Sequence, residues 1–207
     1  MVAGAEKLSI PLVRPVVVVF SGPPATGKST LADAIARELP APVVAFDWVL
    51  AALTPFPELY EPLEAMERER YQDVGYGLMA QVVEKQLRNR QSVVLDCVAR
   101  RRALERWSAM AAEHDAPMHI IECVCSDAAV HRSRVDGRIR AIPGWYELDW
   151  SHVERSRAGY EPVPNEKLVV DAVDPLDANL ARVRTYLGLG KDAKPDRGRH
   201  GKQGEGP

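Results

Sequence analysis

Apolar positions along this chain gather into short runs separated by longer amphipathic stretches. The runs are 16–20 (Val-Val-Val-Val-Phe), 43–46 (Val-Val-Ala-Phe), 92–95 (Ser-Val-Val-Leu), 118–124 (Met-His-Ile-Ile-Glu-Cys-Val) and 167–170 (Lys-Leu-Val-Val). Runs this short and rich in β-branched residues read as strands buried on both faces. The stretches 28–39, 62–90, 101–114, 127–139 and 175–188 instead repeat apolar residues at helical intervals, the spacing of helices that cover one side of a sheet. In 175–188, Asp174 is placed to cap the helix, Pro175 suits its first turn, and Leu176, Leu180, Val183 and Leu187 share a face before Gly188. Alternation of the two patterns predicts an α/β domain, a five-stranded parallel sheet with helices on both faces. Ligands of such sheets bind beyond the carboxyl ends of the strands. The residues that follow each apolar run therefore become the candidates for chemistry.

The first run leads straight into Ser21-Gly-Pro-Pro-Ala-Thr-Gly-Lys-Ser-Thr30, which spells G-x-x-x-x-G-K-[ST] from Gly22 to Ser29. Small residues suit this position because backbone N–H groups must turn inward and approach phosphate oxygens closely. A helical pattern begins at once, with Leu31, Ala34, Ile35 and Leu39 on one face, and its positive end points at the same anion. The expected phosphate cradle is Gly22, Pro23, Pro24, Ala25, Thr26, Gly27, Lys28, Ser29 and Thr30. Lys28 is expected to reach the β- and γ-phosphates, and the Ser29 hydroxyl to ligate magnesium.

Two further runs end in an acid, Asp47 after Phe46 and Asp96 after Leu95. An acid at that edge can hold the magnesium shell or accept a proton from an attacking hydroxyl. We expect Asp47 to be the base and Asp96 to serve the metal; the competing role for either is to cap the following helix. Asp171 ends the last run and is expected to be a structural cap or a nucleotide-side residue. Residues 132–140 read Arg-Ser-Arg-Val-Asp-Gly-Arg-Ile-Arg. A helix through this stretch would put Arg134 and Arg138 on one face, where like charges repel unless an anion lies between them. That makes it an arginine-rich lid over a triphosphate, or else a solvated basic face paired with Glu147, Asp149 or Glu154.

Composition narrows the picture modestly. A 207-residue chain with 46% hydrophobic content can bury one full core, here placed over 15–190, after a lead-in of 1–14. Residues 191–207 carry no large apolar side chain and are expected to be a disordered tail. A net charge of −2 gives no bulk attraction to nucleic acid or to a membrane, and nucleic acid is not the expected partner. Three cysteines, an odd number, do not make a disulfide framework. With no long apolar span and no leader pattern, the expected location is the cytoplasm.

Taken together, these residues resemble the small P-loop kinases that phosphorylate alcohols, of the AAA domain 33 type, near the zeta-toxin, polynucleotide kinase and chloramphenicol phosphotransferase branches. The carrying segments are Gly22–Thr30, Ala45-Phe-Asp47, Val93-Val-Leu-Asp96, Glu105-Arg-Trp107, Arg134-Val-Asp-Gly-Arg138, Tyr160-Glu-Pro162 and Leu168-Val-Val-Asp171. The resemblance implies a nucleoside-monophosphate-kinase-like P-loop NTPase sheet, ATP with Mg2+, a catalytic base at Asp47, and lid arginines at Arg134 and Arg138 acting with Lys28. One position departs from it. Polynucleotide kinases carry an arginine three residues after the base, where this chain has Leu50. The expected acceptor is therefore a small, partly apolar alcohol. A zeta-toxin-like or polynucleotide kinase, or a nucleotide-binding switch that is not a kinase, stands as the alternative. Trp48, Phe56, Tyr60, Tyr71 and Tyr76 are equally readable as acceptor walls or as helix packing, and Trp145, Trp150 and Tyr160 as residues that hold the lid down. Of Arg100, Arg101 and Arg102, at least two are expected to be solvated.

Overall fold

The computed structural model describes residues 14–164 and 166–189. In chain order the elements are β1 (Val17–Ser21), α1 (Lys28–Glu38), β2 (Val43–Ala45), α2 (Phe46–Ala51), α3 (Pro57–Glu64), α4 (Arg68–Arg88), β3 (Val93–Asp96), α5 (Arg101–Glu113), β4 (Met118–Val124), α6 (Ala128–Val135), α7 (Trp150–Ala158), β5 (Leu168–Asp171) and α8 (Leu176–Tyr186). The strands form one sheet in the order β2-β3-β1-β4-β5, every pair parallel. This is the expected five-stranded sheet.

Strand β1 is central and all five of its residues are buried. Its side chains alternate between two cores, as the pleat requires. Val17 and Val19 join Val93 and Leu95 against Met79, Val83 and Leu87 of α4 and Leu104 and Trp107 of α5. Val18 and Phe20 join Val94 and Ile121 against Leu31 and Ile35 of α1 and Leu180 and Val183 of α8. Helices thus cover both faces, and strand order reverses around β1. That reversal opens a crevice at the carboxyl ends of the strands. A third, smaller cluster unites Leu50, Ala51 and Leu63 with Ile142 and Trp145, fastening the segment after α6 onto α2 and α3.

Several boundaries differ from the expected ones. The helix expected over 62–90 is two helices, because the chain breaks at Ala65-Met66-Glu67 between α3 and α4. The helix expected over 127–139 stops at Val135; Asp136 is extended and Gly137 takes a left-handed φ of 78°. The second strand loses Phe46 to α2, whose ring joins the clusters below the sheet edge. Helix α7 lacks an apolar stripe strong enough to announce it, yet Asp149 caps it by accepting from His152 N at 2.8 Å. Asp174 does not cap α8. The cap position is Pro175, and Asp174 lies 3.6 Å from Arg182 instead.

The three cysteines are free thiols in the interior, and burial pushes the Cys123 thiol up to about 12. Among the described residues no helix is long and apolar enough to cross a membrane. Most of the expected lead-in, through residue 13, and the expected tail of 191–207 lie outside the described residues.

Candidate functional site

The loop between β1 and α1 is shaped by two glycines. Gly22 has a φ of 138°, and a Cβ there would stand 2.0 Å from the Cys123 carbonyl oxygen, so only glycine lets the loop rest against β4. Gly27 takes a left-handed φ of 83° at the cap of α1, where no side chain accepts from the first turn. Those N–H groups are left facing the cleft, as an anion requires. The Lys28 Nζ donates to the Pro23 carbonyl oxygen at 2.7 Å and the Thr26 hydroxyl donates to the same oxygen at 2.8 Å. The lysine is buried, folded over its own loop. Thr30 lies in α1 and is exposed.

Asp96 closes β3 and is buried. Burial pushes its carboxyl above the usual range, against the opposing pull of the Lys28 ammonium and the Ser29 hydroxyl beside it. Lys28, Ser29 and Asp96 all line the same cleft. Asp47 lies in the first turn of α2, its side chain 41% exposed toward the cleft. Neither acid caps the next helix, because Ala45 precedes α2 and Arg100 precedes α5 with no capping side chain. Asp171 is structural. It accepts from the Ser126 and Val173 N–H groups, both at 3.1 Å, and with Arg134 nearby these hold its carboxyl below the usual range despite partial burial.

The arginines are distributed differently from the expected pair. Because α6 ends at Val135, Arg134 and Arg138 do not share a helical face. Arg134 donates to the Ala172 carbonyl oxygen beyond β5, whereas Arg138 lines the cleft. The arginine that meets Asp47 is Arg140. Its Nη1 lies 2.6 Å from Asp47 Oδ2, with the side chain only 7% exposed. Its guanidinium also reaches the Tyr146 carbonyl oxygen and lies over the Tyr146 ring at 5.7 Å. Glu147 accepts from the Arg140 and Ala141 N–H groups at 3.0 and 3.2 Å, so that one expected pairing does form. No local period marks Arg140. It sits in an irregular segment whose path is set by Ile142 and Trp145.

His131 was likewise unmarked. It is buried on α6, and its Nε2–H donates to the Pro24 carbonyl oxygen at 2.7 Å. Ala25 of the loop packs with Val135 of α6 and Val153 of α7, so both helices touch the phosphate loop directly.

Pro24, Ala25, Gly27, Lys28, Ser29, Asp47, Asp96, Arg138 and Arg140 line a cleft of about 650 Å³, whereas Gly22, Pro23, Thr26, Thr30, Arg134 and His131 do not. Trp48, Tyr71, Tyr76, Trp145 and Tyr146 contribute to its walls, but Phe56 and Tyr60 do not. Tyr60 packs edge-on against Trp145 at 6.0 Å. Trp145 holds the segment after α6 down, as expected, and Trp150 packs at right angles on His131. Tyr160 bonds instead to buried Glu122 at 2.6 Å. Arg100 donates to the Gly159 carbonyl oxygen, while Arg101 and Arg102 are exposed and none of the three lines the cleft. Among the described residues no group of three His, Cys, Asp or Glu could hold a metal by itself. A magnesium ion here would rest on Ser29, Asp96 and the phosphates it accompanies, a donor set of oxygens that suits it.

Comparison with known proteins agrees with this architecture. The family model AAA_33, described as an AAA domain, matches residues 17–163. Among solved structures, the chain is similar to a sugar kinase from Janibacter sp. HTCC2649, with 18% identity and a TM-score of 0.62 over 85% of this chain and 96% of that one. It is similar to a putative kinase from Chloroflexus aurantiacus, with 24% identity and a TM-score of 0.60 over 83% and 98%. A gluconokinase from Sinorhizobium meliloti gives 21% identity and a TM-score of 0.56 over 85% and 97%. No curated protein matches the chain.

Proposed function

The chain belongs to the AAA domain family matched over residues 17–163, and within it we propose that this protein is an ATP-dependent kinase that moves the γ-phosphoryl of Mg-ATP to a hydroxyl of a small molecule. One observation carries the reading. A carboxylate fixed by an arginine, Asp47 with Arg140, shares a single cleft with the phosphate loop and the Lys28–Ser29–Asp96 group. A triphosphate site alone needs no such pair, whereas transfer to an alcohol needs a proton acceptor and a cation near the phosphoryl in transit.

In this reading the loop N–H groups and Lys28 hold the β- and γ-phosphates. Ser29 and Asp96 would hold magnesium, which would neutralise charge on the phosphate oxygens. Arg140 occupies Asp47 Oδ2, and among the described residues no donor reaches Oδ1. That oxygen takes the acceptor's proton as the hydroxyl oxygen bonds to the γ-phosphorus and the bond to the β–γ bridging oxygen breaks, releasing ADP. Arg138 and Arg140 offer planar donors for the charge spread over the phosphoryl oxygens. The names of the sugar kinase and gluconokinase to which the fold is similar also favour a small hydroxylated acceptor.

The experiment is incubation with Mg-ATP and a pool of alcohols that includes sugars, nucleosides, nucleotide-sugars and antibiotics. A mass gain of one phosphoryl in a pool member, lost in both Asp47→Asn and Lys28→Ala, is the expected outcome. ATP turnover indifferent to every acceptor and to Asp47→Asn would overturn the assignment.

A further inference from the structure

The cations of the cleft are not all engaged. Lys28 is held by the Pro23 carbonyl oxygen and Arg140 by Asp47. Arg68, the first residue of α4, also lines the cleft, and among the described residues no carboxylate lies within ion-pairing distance of its guanidinium. Tyr76 of the same helix, Tyr146 after α6 and His152 of α7 line the cleft with it. Asp47 lines it too, so the carboxylate and the guanidinium open onto one space. Glu64 of α3 does not line the cleft, and it makes no ion pair with Arg68.

Gln72 lies one helical turn after Arg68 and lines the same cleft. Residues four apart share a helix face, so a guanidinium and an amide donor are presented side by side. The wall belongs to the acceptor end. Helix α4 packs on α2, which carries Asp47, and the Tyr71 and Phe46 rings meet edge-on at 6.3 Å. Trp48 and Tyr146 leave about half their surfaces exposed beside it, flat faces on which a ring or a sugar can lie.

We propose that Arg68 and Gln72 form a subsite for a negatively charged group on the acceptor, so that the substrate is a hydroxy acid spanning from Asp47, which meets its hydroxyl, to Arg68, which meets its carboxylate. This rests on the kinase reading above and adds the class of acceptor to it. Arg68 is exposed at the rim of the cleft, and an unpaired arginine binds a carboxylate through two parallel N–H donors, whereas an uncharged isostere offers it no counter-charge.

The test titrates the ADP-loaded protein by calorimetry with mandelate and with glucuronate, each beside its own primary amide. At least one acid is expected to bind about tenfold or more tightly than its amide. Arg68→Gln is expected to remove that difference and Arg68→Lys to restore part of it, with ADP affinity measured in each variant to show that it is folded. Equal binding of acid and amide, failure of both acids to bind, or an acid preference that survives Arg68→Gln overturns the subsite. Phosphoryl transfer from ATP is followed separately. An Arg68-dependent preference without transfer keeps the anion subsite and overturns the kinase reading, whereas transfer to acid and amide with equal kcat/KM does the reverse.

Discussion

The His131 ring on α6 stands 2.7 Å from the Pro24 carbonyl oxygen, so the phosphate loop is fastened to a helix far along the chain by one partly buried hydrogen bond. Burial, opposed by that bond and reinforced by the nearby Arg157, Lys28 and Arg134 charges, lowers the histidine's proton affinity below its ordinary value of 6.5. His119 and His152 shift the same way, each chiefly through burial.

A pH dependence follows from the sign of these shifts. Each histidine binds a proton more readily in the unfolded chain than in the folded one, so stability is full above the unfolded value. It falls as pH drops through 6.5 toward the lower folded values. The melting temperature at about pH 5.5 is expected to lie below that at about pH 8. His131→Gln, which keeps a donor for Pro24 but cannot titrate, should make the acid-side decline shallower. A melting temperature that climbs on acidification through this range contradicts the account.

Arg140 touches Asp47 and not the phosphate loop. Its removal should therefore act on the chemical step and spare nucleotide binding. Arg140→Ala is expected to lower kcat by about a hundred- to a thousandfold while the KM for ATP changes only a few-fold. Arg140→Lys keeps the charge but loses the forked contact to both Asp47 and Tyr146, and should fall between. Steady-state kinetics with varied ATP separates the two effects, and a loss carried mainly by the KM for ATP would assign Arg140 to the nucleotide.

Gly144 lies where the segment after α6 docks on α2 and α3. Its φ is 71°, and a Cβ would stand 2.5 Å from the Thr54 hydroxyl. Gly144→Ala should destabilise the protein by about 1–2 kcal/mol, combining the left-handed backbone cost with the contact. In a Thr54→Ala background the contact is gone and only the backbone cost remains. The penalty should shrink without vanishing, a coupling that urea denaturation of the four proteins measures.

How far the sequence could be read depended on how local each feature is. Strand β1, the phosphate loop and α1 are legible because apolar run, glycine spacing and helical period lie side by side within about twenty residues. A rule of position at strand ends singles out Asp47 and Asp96, and both line one cleft, Asp96 from the end of β3 and Asp47 from the first turn of α2. The Arg134–Arg138 face failed for a local reason, since it needed a helix that Asp136 and Gly137 end. Arg140 and His131 were invisible for a nonlocal one. Asp47 lies 93 positions from Arg140, and Pro24 lies 107 from His131. No periodicity within either segment encodes such a partner; only the packed path of the chain does. Phe46 shows tertiary packing overriding pattern, because its apolar, aromatic character suits a strand end but the ring is drawn down between Tyr71 and Tyr76 as the first residue of a helix.

Trp145 seats the middle of the 136–149 segment in the cluster of Leu50, Ala51 and Leu63, while His131 and Val135 seat its beginning against the phosphate loop. A strap pinned at both places ties the phosphate-loop wall of the cleft to the wall built by α2 and α3. In the proposed kinase reading one undivided cleft must hold nucleotide and acceptor together for transfer, so double-reciprocal plots of rate against one substrate at fixed levels of the other should intersect rather than run parallel.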